Sequence, residues 1–319
     1  MKQLNTPILF LIFNRPDHTK QIFNLIRSLA PKKLYLASDG PRMNHIGDIE
    51  KVSKVRHIAL NIDWDCEVKS MFRDSNLGCK YAVSSAISWF FEHEEHGIIL
   101  EDDVLPDPSF FYYCQDLLNK YKDDTKVWGI CGTNFQNGIS RGKASYYFSQ
   151  YPDIWGWATW RRAWKHYDVE IRNWKNIRNS IFWSELFPIK AERRYWSNIF
   201  DKVYSGNVDT WDYQWNACVF FNRGLFAVPN VNLVTNIGYG VDATHTLQPD
   251  PILSNMPSYS LGNLVHTDTV FQNIEADQFH SSRFCIRDQF IFKAHSMALF
   301  RKFNNLIIVL YNLIIKHLK

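Results

Sequence analysis

Three carboxylates in a row, Glu101, Asp102 and Asp103, follow the apolar run GIIL (97–100) in GIILEDDVLPDPSFF. Like charges set side by side raise one another's pKa unless a cation or strong donors offset them. The stretch therefore asks for a positive partner. Hard carboxylate oxygens at a strand end suit Mg²⁺ or Mn²⁺, which takes one or two protein carboxylates and completes its shell with phosphate oxygens and water. Such an ion holds a diphosphate and offsets the charge that develops as it departs. Acidic residues at a strand end can also cap the following turn and face water, and the stretch alone leaves both readings open.

The elements needed to position these acids are legible around them. The first 132 residues alternate short β-like runs with helical periodicity, the pattern of βαβ units around a mostly parallel sheet. ILFLIF reads as a buried strand, and a helix follows from Asp17 to Ala30 with Ile22, Leu25, Ile26 and Leu29 on one face. KLYLAS (33–38), CEVKSMF (66–72), GIIL (97–100) and KVWGICG are the further expected strands. Helices are expected around 49–58, over 80–94, and from Pro108 and Ser109 onward. Asn14-Arg15, Ser38-Asp39-Gly40, Arg73-Asp74 and Glu101-Asp102-Asp103 each stand at the carboxyl end of one run. Open α/β sheets bind ligands outside those ends. Neither G-x-G-x-x-G nor G-x-x-x-x-G-K-[ST] occurs, so neither a dinucleotide fold nor a P-loop is signalled.

At 319 residues, the chain can bury a sizeable core. A net charge of +4 argues against a dedicated nucleic-acid binder. Its aromatic fraction is 16%, and nine of the 12 Trp residues fall between Tyr151 and Trp215. Their flat faces suit the C–H faces of sugar rings, and they equally suit a core. Six cysteines without a C-x-x-C pair read as reduced thiols. The run 8–13 ends in Asn14-Arg15-Pro16 and does not read as a secretory leader. No stretch of about 20 apolar residues occurs. The segment 303–318 is apolar on most faces and flanked by Arg301, Lys302, Lys316 and Lys319, which suits either a membrane surface or docking on the core or a second subunit.

On PILFLIFNRPDHT with SDGPR, GIILEDDVLPDPSFFYY and TWDYQW, the sequence resembles the GT-A glycosyltransferases, and is similar to nucleotide-diphospho-sugar transferases of the N-acetylglucosaminyltransferase I kind. The resemblance covers about 240 residues, most strongly in the first half. It implies a GT-A, Rossmann-like α/β fold with a Trp-rich continuation on the acceptor side. Residues 1–132 are expected to bind the nucleotide sugar and 133–260 to carry the acceptor site and catalytic group of the same compact unit, with 261–319 a helical extension.

The resemblance implies that Asp103 coordinates Mn²⁺ or Mg²⁺, Asp102 contacts the ribose and Glu101 supports both. Asp39 then accepts the uracil N3–H, and Arg15 meets base or diphosphate; Arg15 could instead brace Asp39. Arg73 and Asp74 are candidates for the nucleotide pocket or for a plain turn ion pair. Asp212, after Trp211, is the implied catalytic base of an inverting transfer, with Asp209 as the alternative. His245 is a candidate metal or diphosphate ligand, or an ordinary hydrogen-bonded residue. Trp211, Trp155 and Trp157 are candidate acceptor contacts, and on a helix Asp212 and Trp215 share a face. The glycines around 236–240 permit a tight loop over the donor or mark an ordinary turn.

The expected activity is transfer from a nucleotide sugar, a UDP-sugar by the resemblance, to a glycan or lipid-linked acceptor in surface polysaccharide or lipopolysaccharide synthesis. The expected location is the cytoplasm, peripheral at the inner face of the membrane. A nucleotidyltransferase making the nucleotide sugar, or a non-enzymatic carbohydrate-binding protein with structural Ca²⁺, are the competing readings. NRPDHT lacks the glycine- and Lys/Arg-rich phosphate loop of the former.

Overall fold

The computed structural model describes residues 4–239 and 256–286. Its frame is an eight-stranded sheet in the order β3-β2-β1-β4-β8-β6-β9-β7. The strands are β1 (Ile8–Ile12), β2 (Lys33–Ser38), β3 (Glu67–Phe72), β4 (His96–Glu101), β6 (Val127–Cys131), β7 (Tyr146–Ser149), β8 (Trp157–Trp160) and β9 (Leu225–Pro229). A two-stranded sheet pairs β5 (Val104–Pro106) with β10 (Val234–Asn236). The first four strands of the large sheet run parallel, β8 and β7 run against their neighbours, and β6 and β9 are again parallel. The fold is thus α/β with a mostly parallel sheet.

Alternation builds the two faces. Ile8, Phe10 and Ile12 of β1 join one buried cluster, while Leu9 and Leu11 join the other. A strand covered on both sides must be apolar throughout, which is why ILFLI shows no polar position. Helices α1 (Pro16–Leu29), α2 (Asp48–Leu60) and α4 (Pro108–Lys120) supply partners to the first cluster, and α3 (Gly78–His93) supplies Ile87 and Phe90 to the second. Pro16 at the first turn of α1 has no N–H to leave unpaired, and Asp17 beside it favours the positive helix end. Asp107 caps α4 by accepting from Ser109 N–H at 2.8 Å.

The Trp-rich stretch folds as the short helices α5 (Arg161–Trp164), α6 (Trp174–Ile177) and α7 (Ile181–Leu186), then α8 (Lys190–Tyr204) and α9 (Asp212–Phe221). Trp174, Trp183 and Trp196 form a third cluster with Phe187, Phe200 and Phe220. Trp164, Trp211 and Trp215 extend the second. Helix α10 (Ile274–Ser281) packs near the edge strand β7, where Ser149 Oγ donates to Asp277 at 2.5 Å.

Register brings the strand ends together. Ile12 stands beside Ser38, Ser38 beside Phe72, and Leu11 beside Glu101. Strand β1 is flanked by β2 on one side and β4 on the other, so the chain reverses its direction of travel across the sheet there. Such a switch point opens a crevice at the carboxyl ends.

Candidate active site

A cleft of about 840 Å³ lies over that switch point. Its lining includes Arg15, Asp39, Arg42, Arg73, Glu101, Asp102 and Asp103 from the strand ends, and Trp155, Asp209, Trp211 and Asp212 from the second half of the chain.

The acidic stretch has found its cation. Arg15 donates from Nη1 to Asp103 Oδ2 at 2.5 Å and lies 3.6 Å from Asp102 Oδ1. Phe13 N–H donates to Asp102 Oδ2 at 3.0 Å. Arg15 therefore braces Asp102 and Asp103, a pairing different from the one with Asp39 that the sequence also allowed. Burial first, then Asp103, Asp102 and Asp212, push the Glu101 carboxyl upward. Burial also raises Asp102, with Arg15 opposing and Asp103 adding to the rise. Arg15 offsets part of this charge and the raised affinity of Glu101 and Asp102 for protons offsets more, so a further cation here would take the place of those protons.

A divalent metal at this place would be held in a particular way. Among the described residues, no group of three or more His, Cys, Asp or Glu side chains forms a metal cage. Asp103 could hold a hard cation by one carboxylate, the rest of the shell coming from ligands that are not side chains of this kind. The backbone closes around Asp103 as well. Ile237 N–H donates to the Asp103 carbonyl at 2.8 Å, and a Cβ at Gly238 would stand 2.4 Å from Asp103 Oδ2. Only glycine allows the approach. The loop after β10 thus lies on the acidic stretch, drawn there by the pairing of Asn236 with Val104.

Asp39 is at the cleft but is already engaged. Oδ1 accepts from Gly40 N–H at 2.9 Å and Leu77 N–H at 3.0 Å, and Oδ2 accepts from Leu77 N–H at 3.0 Å and Gly78 N–H at 3.2 Å. Burial raises its pKa, against those N–H groups and the charge of Arg73. Asp209 serves the same helix end, accepting from Lys80 N–H at 3.0 Å. Two carboxylates from distant parts of the chain therefore cap α3, whose own N-cap residue, Leu77, has no side-chain acceptor.

Asp212 opens α9, its Oδ1 accepting from Thr210 Oγ1 and, at 2.9 Å, from Tyr213 N–H. It is one of four carboxylates around Cys79, whose thiol is raised first by burial and then by Glu101, Asp212, Asp209 and Asp103. Burial among carboxylates disfavours the thiolate of Cys79 in the cleft wall. Glu101, Asp102, Asp103 and Asp212 line one space.

The tryptophans divide. Trp155 is partly exposed, lines the cleft, and meets Tyr239 edge-on at 6.0 Å and Phe135 at 5.4 Å. Trp211 lines the cleft from a buried position. Trp157 corrects the expectation made for it. It is 1% exposed, absent from the cleft wall and stacked behind Trp211 at 5.7 Å, because β8 is an interior strand between β4 and β6. Trp215 is likewise core, packed on Trp128, Trp157 and Trp164, and offers no plate beside Asp212.

Arg73 lines the cleft and donates to Ser85 Oγ at 2.8 Å, while Asp74 is exposed and outside the lining. His245, Gly240 and the apolar segment 303–318 lie outside the described residues.

Sequence reasoning missed a second set. Arg42, the last residue of SDGPR, lines the cleft, sits 5.3 Å over the Phe13 ring and pairs with Asp48 at 2.6 Å. Asn14 Nδ2 donates to Asp48 at 2.8 Å, and Arg56 donates to the Asp39 and Arg73 carbonyls at 3.0 and 2.6 Å. Arg42 and Arg56 could have been suspected from their place after a strand end and on the following helix. Their partners could not.

No protein-family model matches the sequence. No curated protein matches it significantly. Solved structures with partial likeness include a UDP-glucose pyrophosphorylase complexed with UDP-glucose (TM-score 0.30, 9% identity, 50% of this chain and 78% of that one). An apo UDP-glucose pyrophosphorylase gives 0.33, 9%, 72% and 93%. Mouse xyloside xylosyltransferase 1 in its apo form gives 0.34, 11%, 70% and 84%. Likeness of this degree leaves the functional reading to the sequence and the cleft.

Proposed function

We propose that the chain is a GT-A type glycosyltransferase that moves a sugar from a nucleoside-diphosphate donor, a UDP-sugar, to a glycan or lipid-linked glycan. The observation that carries the proposal is the cleft itself. Its lining brings together a triple carboxylate at a switch-point strand end, Asp212 and a partly exposed Trp155.

In this reading the nucleoside is taken on the β1–β2 side, by Phe13, Asp39, Arg42 and Arg73, and Asp102 meets the ribose. Asp103 holds Mn²⁺ or Mg²⁺, which when bound neutralises the diphosphate. Arg15 follows the diphosphate as a second positive charge. Asp212 takes the proton of the acceptor hydroxyl as its oxygen bonds to the anomeric carbon. The bond from that carbon to the diphosphate oxygen breaks with its electron pair on the departing nucleoside diphosphate. One displacement inverts the anomeric centre. Trp155 and Trp211 offer the acceptor sugar an apolar face. A role in surface polysaccharide or lipopolysaccharide assembly, peripheral at the inner membrane face, accords with a lipid-linked acceptor.

Calorimetric titration of UDP with and without Mn²⁺ tests the donor half of the proposal. Binding should require Mn²⁺, vanish in Asp103→Ala and persist in Asp212→Asn. UDP binding indifferent to both Mn²⁺ and Asp103 contradicts it.

A further inference from the structure

The loop between β2 and α2 ends in a bare apolar tip. Met43 is 84% exposed, Ile46 is fully exposed, and Ile49 in the first turn of α2 is 65% exposed. Single exposed apolar side chains are ordinary on a protein surface, whereas three within seven residues form a patch. The loop that carries them is clamped. Arg42 Nε and Nη2 donate to Asp48 Oδ2 and Oδ1 at 2.6 and 3.1 Å, and Asn14 holds Asp48 from β1's end at 2.8 Å. Two turns lie inside the clamp, His45 N–H to the Arg42 carbonyl at 3.1 Å and Asp48 N–H to the His45 carbonyl at 3.2 Å. Its polar contacts face inward to the protein and its apolar side chains face water.

The charge around the tip selects among occupants. Lys51, Lys54, His45 and His57 are exposed on the loop and on α2, against the exposed acid Glu50. Three apolar side chains are a small patch beside the roughly 20–30 residues a side of a standard protein interface. A few apolar side chains beside lysines suit an anionic bilayer, where the tip enters the acyl boundary and the lysines meet phosphates. Arg42, at the base of the loop, also lines the cleft.

We propose that the 42–49 loop seats the protein on anionic membrane by inserting Met43, Ile46 and Ile49 at the interface, with the cleft mouth beside the headgroups. The inference goes beyond the glycosyl-transfer reading and does not depend on it.

Co-sedimentation of the full chain with phosphatidylcholine vesicles, with and without phosphatidylglycerol, tests it. The wild-type chain should bind the anionic vesicles, and Met43→Ser/Ile46→Ser/Ile49→Ser should bind at least about tenfold more weakly, since most of the inserted apolar area is gone. Thermal unfolding should change little, because these side chains lie mostly in water. Hydrogen exchange should show amides 43–47 of the wild type slowed by anionic vesicles. The proposal is overturned by a wild-type chain that ignores anionic vesicles, by unchanged binding of the triple variant, or by vesicle protection confined to other segments. A wild-type dimer that the triple substitution dissociates, with vesicle binding intact, also overturns it and makes the patch a contact between copies.

Discussion

Arg15 Nη1 lies 2.5 Å from Asp103 Oδ2 and 3.6 Å from Asp102 Oδ1, so one guanidinium after β1 serves two of the three carboxylates after β4. Their side chains are 13%, 20% and 9% exposed, so the pairing is poorly screened by water. In Arg15→Gln the carboxylates lose that cation. Stability should fall by about 2 to 3 kcal/mol, part of the repulsion being relieved by protonation. Mn²⁺ alone should then raise the melting temperature of Arg15→Gln more than that of the wild type. Equal shifts in a thermal scan would show that the metal and Arg15 do not answer the same charge.

Asp212 and Asp209 are separable by what each already holds. Asp209 accepts from Lys80 N–H at the start of α3, and an amide oxygen can keep that bond. Asp209→Asn should therefore lose about 1 kcal/mol or less and retain turnover within about tenfold. Asp212→Asn should keep UDP binding and lose about 10²- to 10⁴-fold in turnover. A transfer assay on both variants decides; the reverse order of losses would move the base to Asp209.

Much of the first half was legible because buried parallel strands announce themselves. β2 occupies the expected residues, 33–38, and the register of β1, β2, β3 and β4 aligns the polar ends that follow them. The second half was not, for physical reasons. Strand β8 is WATW, buried at every position, so it carries no alternation, and it enters the sheet antiparallel between β4 and β6. Helices α5 and α6 have four residues each, too few for periodicity to show. Composition also could not say which Trp faces the cleft, since a sugar platform and a core residue are the same side chain. The Arg42–Asp48–Asn14 cluster joins residues up to 34 apart through a loop with no periodic signal.

The division of the tryptophans has its own consequence. Trp157→Ala empties a fully enclosed site and should cost about 3 to 5 kcal/mol in denaturant unfolding. Trp155→Ala should cost under half of that and instead raise the acceptor KM. A Trp155→Ala enzyme with wild-type acceptor kinetics would remove it from the acceptor site.

Asp48 supplies a pH signature. Burial alone raises its carboxyl, but hydrogen bonds from Arg42 and Asn14 and the Arg42 charge outweigh that and hold it at about 2. A depressed carboxylate stabilises the fold above its unfolded pKa, near 4, and that stability is lost as pH falls through about 2. The contribution is at most about 2 kcal/mol, Arg42 being partly open to water. Wild type should exceed Asp48→Asn in stability by about that amount at neutral pH, with the gap closing between about pH 4 and pH 2. A gap of constant size across that range would mean that the ion pair is not its source.

Sugar transfer from a nucleoside diphosphate in this cleft is open to a direct assay. Its most direct test is product analysis of purified protein with a panel of nucleotide sugars, with and without Mn²⁺, a chelator, pyrophosphate and glycan acceptors. Nucleoside diphosphate should be released from a UDP-sugar, in a reaction dependent on Mn²⁺ and lost in Asp103→Ala and Asp212→Asn. Formation of nucleoside triphosphate and sugar phosphate only when pyrophosphate is present would make the protein a nucleotidyltransferase, and no cleavage of any donor would leave it a binding protein; either result would rule out glycosyl transfer.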